Sequence, residues 1–232
     1  MMKVRIKFSK NGPIKFIGHL DVMRYFQKAI RRADIDIAYS QGFSPHQIMS
    51  FAQPLGVGVE SNGEYVDVEL NSAISSKDVK EKLNAVMNEG IQIESVKLLP
   101  EGAMNAMASV AASKYEISIK EGYDFGIDFF SQCLKLGENE HIYIVKKTKK
   151  NELEMDIRPA IFKMSVCDDK LLLFVDSSSA GNIKPNLLLE KVCLENQLEY
   201  NALAFAVRRL DMYTKDVNTG KLVPMDEVGE DF

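Results

Sequence analysis

The chain has 232 residues, 46% hydrophobic and 27% charged, with 29 Lys plus Arg against 33 Asp plus Glu and a formal net charge of -4. That length allows one large domain or two small ones, each able to bury a core without disulfide staples. No apolar run approaches the roughly 18 residues of a membrane span, residues 1–10 lack the apolar stretch of a secretory leader, and Cys133, Cys167 and Cys193 are odd in number and widely spaced; no membrane partner and a reducing, cytoplasmic setting are expected.

In chain order, residues 3–8 read as a strand, with Val4, Ile6 and Phe8 alternating against Lys3, Arg5 and Lys7, one face buried and the other wet. A turn over residues 9–13 leads into a helix over 19–33, where Leu20, Met23, Phe26, Ile30 and Ala33 recur at helical spacing. Strands follow at 36–39, 47–52 and 64–70. A helix over 76–88 with Val79, Leu83, Val86 and Met87 on one side ends before Gly90, and a strand covers 91–98. The second half repeats the order: a strand at 115–119, a helix near 123–136, strands at 142–147, 154–164 and 171–176, a helix at 185–196 opened by Pro185, and a strand at 204–212. Lys146, Lys147, Lys149 and Lys150 form a basic run that reads as an exposed hairpin with Asn151 at its turn.

The repeated order predicts an α+β fold of two tandem ferredoxin-like βαββαβ units with antiparallel sheets. The expected division is an amino-terminal unit over residues 1–105 with a basic first helix, a second unit over 106–225, and an acidic, mobile tail over 226–232. The junction falls in residues 100–109, which carry Pro, Gly and small residues without a strand period.

Charge is distributed unevenly. Residues 1–50 hold nine Lys or Arg and three Asp or Glu, whereas the rest hold 20 and 30, a pattern that points to a local surface for an anionic partner such as RNA. Arg24, Lys28 and Arg31 fall along one stripe of the first helix with Arg32 beside them, where they would track phosphates or simply be solvated. Phe16, Tyr25, Tyr39 and Phe43 are candidates for stacking on bases and equally for the core.

In a βαββαβ unit the first strand–helix loop and the loop between the second and third strands share one end. That topology predicts that residues 12–21 meet residues 40–47, so that Gly18, His19 and Asp21 face Ser40, Gln41, Gly42, Phe43, Ser44 and His46, with Lys10 and Lys15 adding charge at a helix N-terminus suited to anions. His19, Asp21 and His46 are the candidate catalytic groups, since imidazole donates, accepts or binds metal near neutral pH. Local hydrogen bonding at a helix start or a turn explains the same residues equally well. Residues 55–60 (LGVGVE) resemble a phosphate loop only superficially, since no Lys-Ser/Thr pair follows. The cysteines, 34 and 26 residues apart, have no zinc-ligand spacing, so no metal or cofactor is assigned.

Residues 3–70 (KVRIKFSKNGPIKFIGHLDVMRYFQKAIRRADIDIAYSQGFSPHQIMSFAQPLGVGVESNGEYVDVEL) resemble the radical SAM-linked protein family of unknown function. The resemblance rests on residues 16–21 running into a helix with paired Arg31 and Arg32, then 38–46, 50–55 and 63–70; it continues through 99–112 and weakly to 208–213. Members resemble free-standing proteins or carboxy-terminal extensions of radical SAM proteins, often encoded near ribosomal and RNA-processing genes. A radical SAM enzyme holds its cluster on three closely spaced Cys, and these three are scattered, so a partner would supply radical chemistry. The resemblance thus implies an accessory RNA-binding or substrate-presenting protein acting with a radical SAM enzyme in tRNA or rRNA modification. Two alternatives are an RNA endonuclease or RNA-modifying enzyme of CRISPR-endonuclease-like fold using His19, whose expected glycine-rich loop residues 177–184 (SSSAGNIK) match poorly, and a protein-interaction module that docks a radical SAM partner.

Overall fold

The computed structural model describes residues 1–147 and 152–232; the part of the expected basic hairpin at Lys149, Lys150 and Asn151 lies outside the described residues. The regular elements are β1 (Met2–Lys10), α1 (His19–Arg32), β2 (Met49–Phe51), β3 (Glu60–Leu70), α2 (Ser76–Val86), β4 (Ile91–Leu98), α3 (Ala106–Ser109), β5 (Ala112–Ile119), α4 (Phe129–Gly137), β6 (Tyr143–Lys147), β7 (Glu152–Asp156), β8 (Ile161–Cys167), β9 (Lys170–Asp176), α5 (Pro185–Glu195), β10 (Phe205–Lys215) and β11 (Leu222–Pro224). They fall into two compact units, Met1–Ala111 with Arg209–Phe232, and Ala112–Arg208.

In the first unit the strands lie in the order β4-β1-β3-β2, all three pairs antiparallel, with Val4 opposite both Val68 and Leu98, and Met49 opposite Val68 from the other side. The even residues of β1 and β3 share a face. Val4, Ile6, Phe8, Val66 and Val68 pack there against Val22, Phe26 and Ile30 of α1 and Val79 and Leu83 of α2. This apolar burial, about 1.5–3 kcal/mol per large side chain before entropy is counted, is what holds both helices on one side. Within α1 the buried stripe is Val22, Phe26, Ala29 and Ile30, so Leu20, expected in the core, is exposed and projects beside the helix start.

The opposite face of β1 is not wet. Arg5 is 1% exposed; its Nε and Nη2 donate to the two carboxylate oxygens of Asp67 at 2.8 and 3.0 Å, and its Nη1 donates to the carbonyl of Met225. Lys7 donates to Asp211 at 2.7 Å and lies 3.4 Å from Asp226. Residues 226–232, expected as a mobile tail, are held in place: Asp226, next to fully buried Met225, lies on this face by Lys7, Glu230 bridges to Leu98 at the β4 edge, and Ser76 N–H donates to the carbonyl of Phe232, which packs on the helix-side core. The physical reason is charge pairing, since Asp226 faces Lys7 and Ser95 rather than solvent. Residues 100–109, expected as a junction, lie inside this unit and carry α3, whose Asn105 side chain accepts from Ala108 N–H.

In the second unit the sheet order is β5-β9-β8, antiparallel, with β10 beside β5, and β6 and β7 pair as a separate hairpin. The single strand expected over 154–164 is two, because Arg158–Ala160 forms a 3-10 turn around Pro159, which has a fixed φ and no N–H to donate to a ladder. Helix α4 begins at Phe129, later than expected, where Asp128 accepts from Ser131 N–H; Gly122 and Gly126 before it have φ of +85° and +69°. Its core joins Tyr115, Ile117, Phe129, Leu171, Leu173, Leu188 and Phe205.

Candidate nucleic-acid interface

Helix α1 starts without a side-chain cap. Gly18 stands at its N-cap and its carbonyl accepts from Asp21 and Val22 N–H. The apolar stripe that buries one side leaves Arg24, Lys28, Arg31 and Arg32 exposed on the other. Arg24 lies 3.5 Å from Asp21, both exposed, a pair worth little in water. Arg32 donates to the Val86 carbonyl and lies over the ring of Tyr25, whose hydroxyl accepts from Asn88 N–H, so Tyr25 is a packing residue. Lys28 makes no ion pair among the described residues.

These four are what remains of the nine cations in the basic amino-terminal segment. Arg5 and Lys7 are paired inside the unit, Lys3 donates to the Ala103 carbonyl, Lys10 is 2% exposed, and Lys15 lies 3.1 Å from Glu60. The sequence count of cations therefore overstates the free positive surface; for Arg5 the separating signal is the opposite charge across the ladder, Asp67, whereas Lys7 and Lys15 find carboxylates far away in sequence.

Residues 40–46 form a closed loop. Ser40 N–H donates to the His46 carbonyl, His46 N–H donates to Ser40 Oγ, and Ser40 Oγ lies 2.8 Å from His46 Nδ1. Gly42 takes φ of +113° at the tip, a conformation that suits glycine, and Gln41, Phe43, Ser44 and His46 are exposed, Phe43 completely. The loop is anchored by Gln47, whose Nε2 donates to the Gln27 carbonyl; Arg31 Nε donates to that same oxygen. The exposed aromatic loop and the cationic stripe are thus joined at one backbone atom.

This is not the juxtaposition expected from topology. His19 sits edge-on against Phe51, with ring centroids 5.6 Å apart, whereas His46 is held by Ser40. Gln27, where the loop is anchored, lies two helical turns from His19, roughly 12 Å at 1.5 Å per residue. The reason is that Tyr39 and Gln47 bridge to each other as a side hairpin and the chain then continues as β2, so the connection that reaches the helix start is residues 52–59, not 40–46. Gly58 N–H donates to the Lys15 carbonyl and Gly12 N–H to Glu60. Asp21 is exposed and faces Arg24.

The helix start borders a narrow cleft of its own, walled by Phe8, Val22, Phe51 and Leu55 and containing Lys10, His19 and Glu64. Lys10 Nζ donates to the carbonyls of Ile17 at 2.9 Å and Lys15 at 3.4 Å. Glu64 is buried and accepts from Arg209 Nη1 at 3.0 and 3.2 Å. Burial pushes the Lys10 ammonium pKa down, against the pull of Glu64, and burial with repulsion from Lys10 holds His19 below the ordinary imidazole range. Burial likewise raises the Glu64 carboxyl while Arg209 opposes it. Lys10 and Glu64 are thus polar groups enclosed by apolar walls, a combination that the sequence pattern, which puts Lys10 in a turn as added charge at an anion-suited helix start, does not reveal.

A family model described as "Uncharacterized protein conserved in bacteria (DUF2344)" matches residues 3–185. No curated protein matches the chain. Among solved structures it is similar to the "Crystal Structure of a Cbf5-Nop10-Gar1 Complex", with a TM-score of 0.44 and 10% identity over 90% of this chain and 48% of that one, so the chain spans about half the length of that relative.

Proposed function

For a chain that belongs to this family of uncharacterized bacterial proteins, we propose an accessory role: binding single-stranded RNA on α1 and the loop over residues 40–46, and presenting it to a radical SAM enzyme that modifies tRNA or rRNA. The single observation that carries the reading is the convergence of Arg31 and Gln47 on the Gln27 carbonyl, which ties the base of the loop that carries fully exposed Phe43 to the helix that carries the cationic stripe. Cations along a helix with an adjacent free ring are the two elements of sequence-tolerant single-strand binding: charge follows phosphates and the ring stacks on a base. The partner half of the reading is supported by the resemblance of residues 3–70 to radical SAM-linked proteins. We read each unit as ferredoxin-like on the strand orders β4-β1-β3-β2 and β10-β5-β9-β8, with the β6–β7 hairpin inserted in the second. Fluorescence anisotropy with a labelled single-stranded RNA tests the binding half: Phe43→Ser is expected to weaken affinity about tenfold, within the 1–3 kcal/mol typical of one stacked base. Equal affinity of wild type and variant argues against stacking at this loop. Co-purification of a radical SAM protein that survives nuclease treatment tests the partner half.

A second reading, an RNA-cleaving or RNA-modifying enzyme, is favoured by one observation: His19 borders a cleft with buried Lys10 and Glu64. Its test is RNA incubated with wild type and His19→Ala, with product lost in the variant.

A further inference from the structure

The cleft at the start of α1 lies about two helical turns from Gln27, where the loop over 40–46 is anchored, and nothing in the proposed interface uses it. It lies entirely within the first unit, between the ends of β1 and β3, the helix start and the segment after β2. Counted to its open mouth it encloses about 330 Å³, and about 20 Å³ is clear enough for a water-sized group. Only the edge of a ligand therefore has room at the floor, with its body outside at the mouth.

The floor is polar in a specific order. An ammonium has three N–H donors and Lys10 spends two, on the Ile17 and Lys15 carbonyls, leaving one. Glu64 has about four lone-pair positions, and Arg209 Nη1 and the Ser61 side chain hydrogen-bond to it, leaving acceptor capacity for a ligand. Lys10 and Glu64 are close enough to influence each other electrostatically but form no ion pair at 4 Å or less among the described residues, so a ligand edge can come between them. A buried donor beside a buried carboxylate acceptor, under apolar aromatic walls, complements a planar ring that carries a carbonyl next to an N–H.

We propose that this cleft binds the lactam edge of a nucleobase, guanine or uracil, with Lys10 donating to the carbonyl oxygen, Glu64 accepting from the ring N–H, and His19 at the rim beside Phe51. Adenine and cytosine present an amino group and an unprotonated ring nitrogen at the corresponding positions, which sets a donor against Lys10 and leaves Glu64 facing an acceptor. Buried polar groups left unpaired reject such analogues strongly. The substrate-presenting role gains a base selectivity that the α1 surface does not supply.

The test uses the full chain and four probes: GMP, UMP, AMP and CMP. NMR follows the His19 imidazole resonances of the wild-type protein during each titration. GMP, UMP or both are expected to shift them and to bind about tenfold or more tighter than AMP and CMP, the discrimination typical of a paired base edge; the arm that responds separates the purine from the pyrimidine. Equal response to all four means the phosphate alone is bound and overturns the proposal, as does no response at millimolar concentration. Glu64→Gln is expected to remove the preference; since that change disturbs a buried ion pair, its circular dichroism is compared with wild type, and the wild-type titration decides the matter if it fails to fold. RNA binding through α1 with a silent His19 sinks this proposal alone. Selective nucleotide binding with no affinity for RNA sinks the interface instead.

Discussion

Arg5 and Asp67 test the buried ionic face most directly. Both are almost wholly enclosed and exchange two hydrogen bonds, so Arg5→Met leaves a buried carboxylate without its counter-charge and is expected to cost about 3–5 kcal/mol in chemical denaturation. Arg5→Met with Asp67→Leu should recover much of that loss, because no charge is then left unpaired. A single variant within 1 kcal/mol of wild type would contradict the burial described. His19 gives a pH prediction. Its folded pKa lies below the ordinary value near 6.5, so above that pH it contributes no difference. As pH falls through about 6.5 the unfolded chain takes the proton first and stability falls until the folded imidazole titrates too. The melting temperature of His19→Gln should therefore drop less than that of wild type between pH 7.5 and 5; parallel curves would show that the imidazole is not desolvated. At this scale alternation identified which β1 residues share a face, but not that the charged face is covered, because the covering groups, Asp211 and Asp226, are more than 200 residues away from Lys7 in sequence.

Elements were more legible than their surroundings. The apolar period located α1 and α2, and β4 spans the residues read from sequence, since each is punctuated by Gly or a polar turn. The split of the strand expected over 154–164 rests on Pro159, a breaker whose weight the alternating flanks concealed. Gly90 illustrates a glycine demanded by packing: it has φ of +93°, and a Cβ there would lie 2.6 Å from the Asn11 carbonyl oxygen. Gly90→Ala should lower stability by about 1–3 kcal/mol, measured by thermal melting; an unchanged midpoint would contradict the close approach of the α2–β4 turn to the end of β1. Sequence topology puts the residue 40–46 loop at the start of α1, whereas it is anchored at Gln27, because periodicity cannot tell a side hairpin from the main connection, and both contain Gly and Pro.

At the scale of the molecule, the division is interleaved: the first unit takes both ends of the chain, and β10 begins in one unit and ends in the other. A linear reading of composition does not detect such a return, since its signal is long-range pairing. A chain ending at Lys221 removes β11 and the segment carrying Met225, Asp226 and Phe232, uncovering Arg5 and Lys7. It should expose its first unit to proteolysis at temperatures where wild type resists, whereas equal resistance would show that the carboxy-terminal segment is dispensable. The sum of charges, -4, argues against a general nucleic-acid coat and for the local stripe on α1. Because counterion release counts phosphates neutralised, the salt dependence of RNA affinity reads that stripe directly. The decisive measurement is the slope of log affinity against log salt for a single-stranded RNA with wild type and with the triple variant Arg24→Gln, Lys28→Gln, Arg31→Gln. If all three contact phosphates, the slope should become shallower by about 2 in the variant, at about 0.7 per phosphate on single strands; an identical slope, or no RNA affinity in wild type at low salt, would contradict the account.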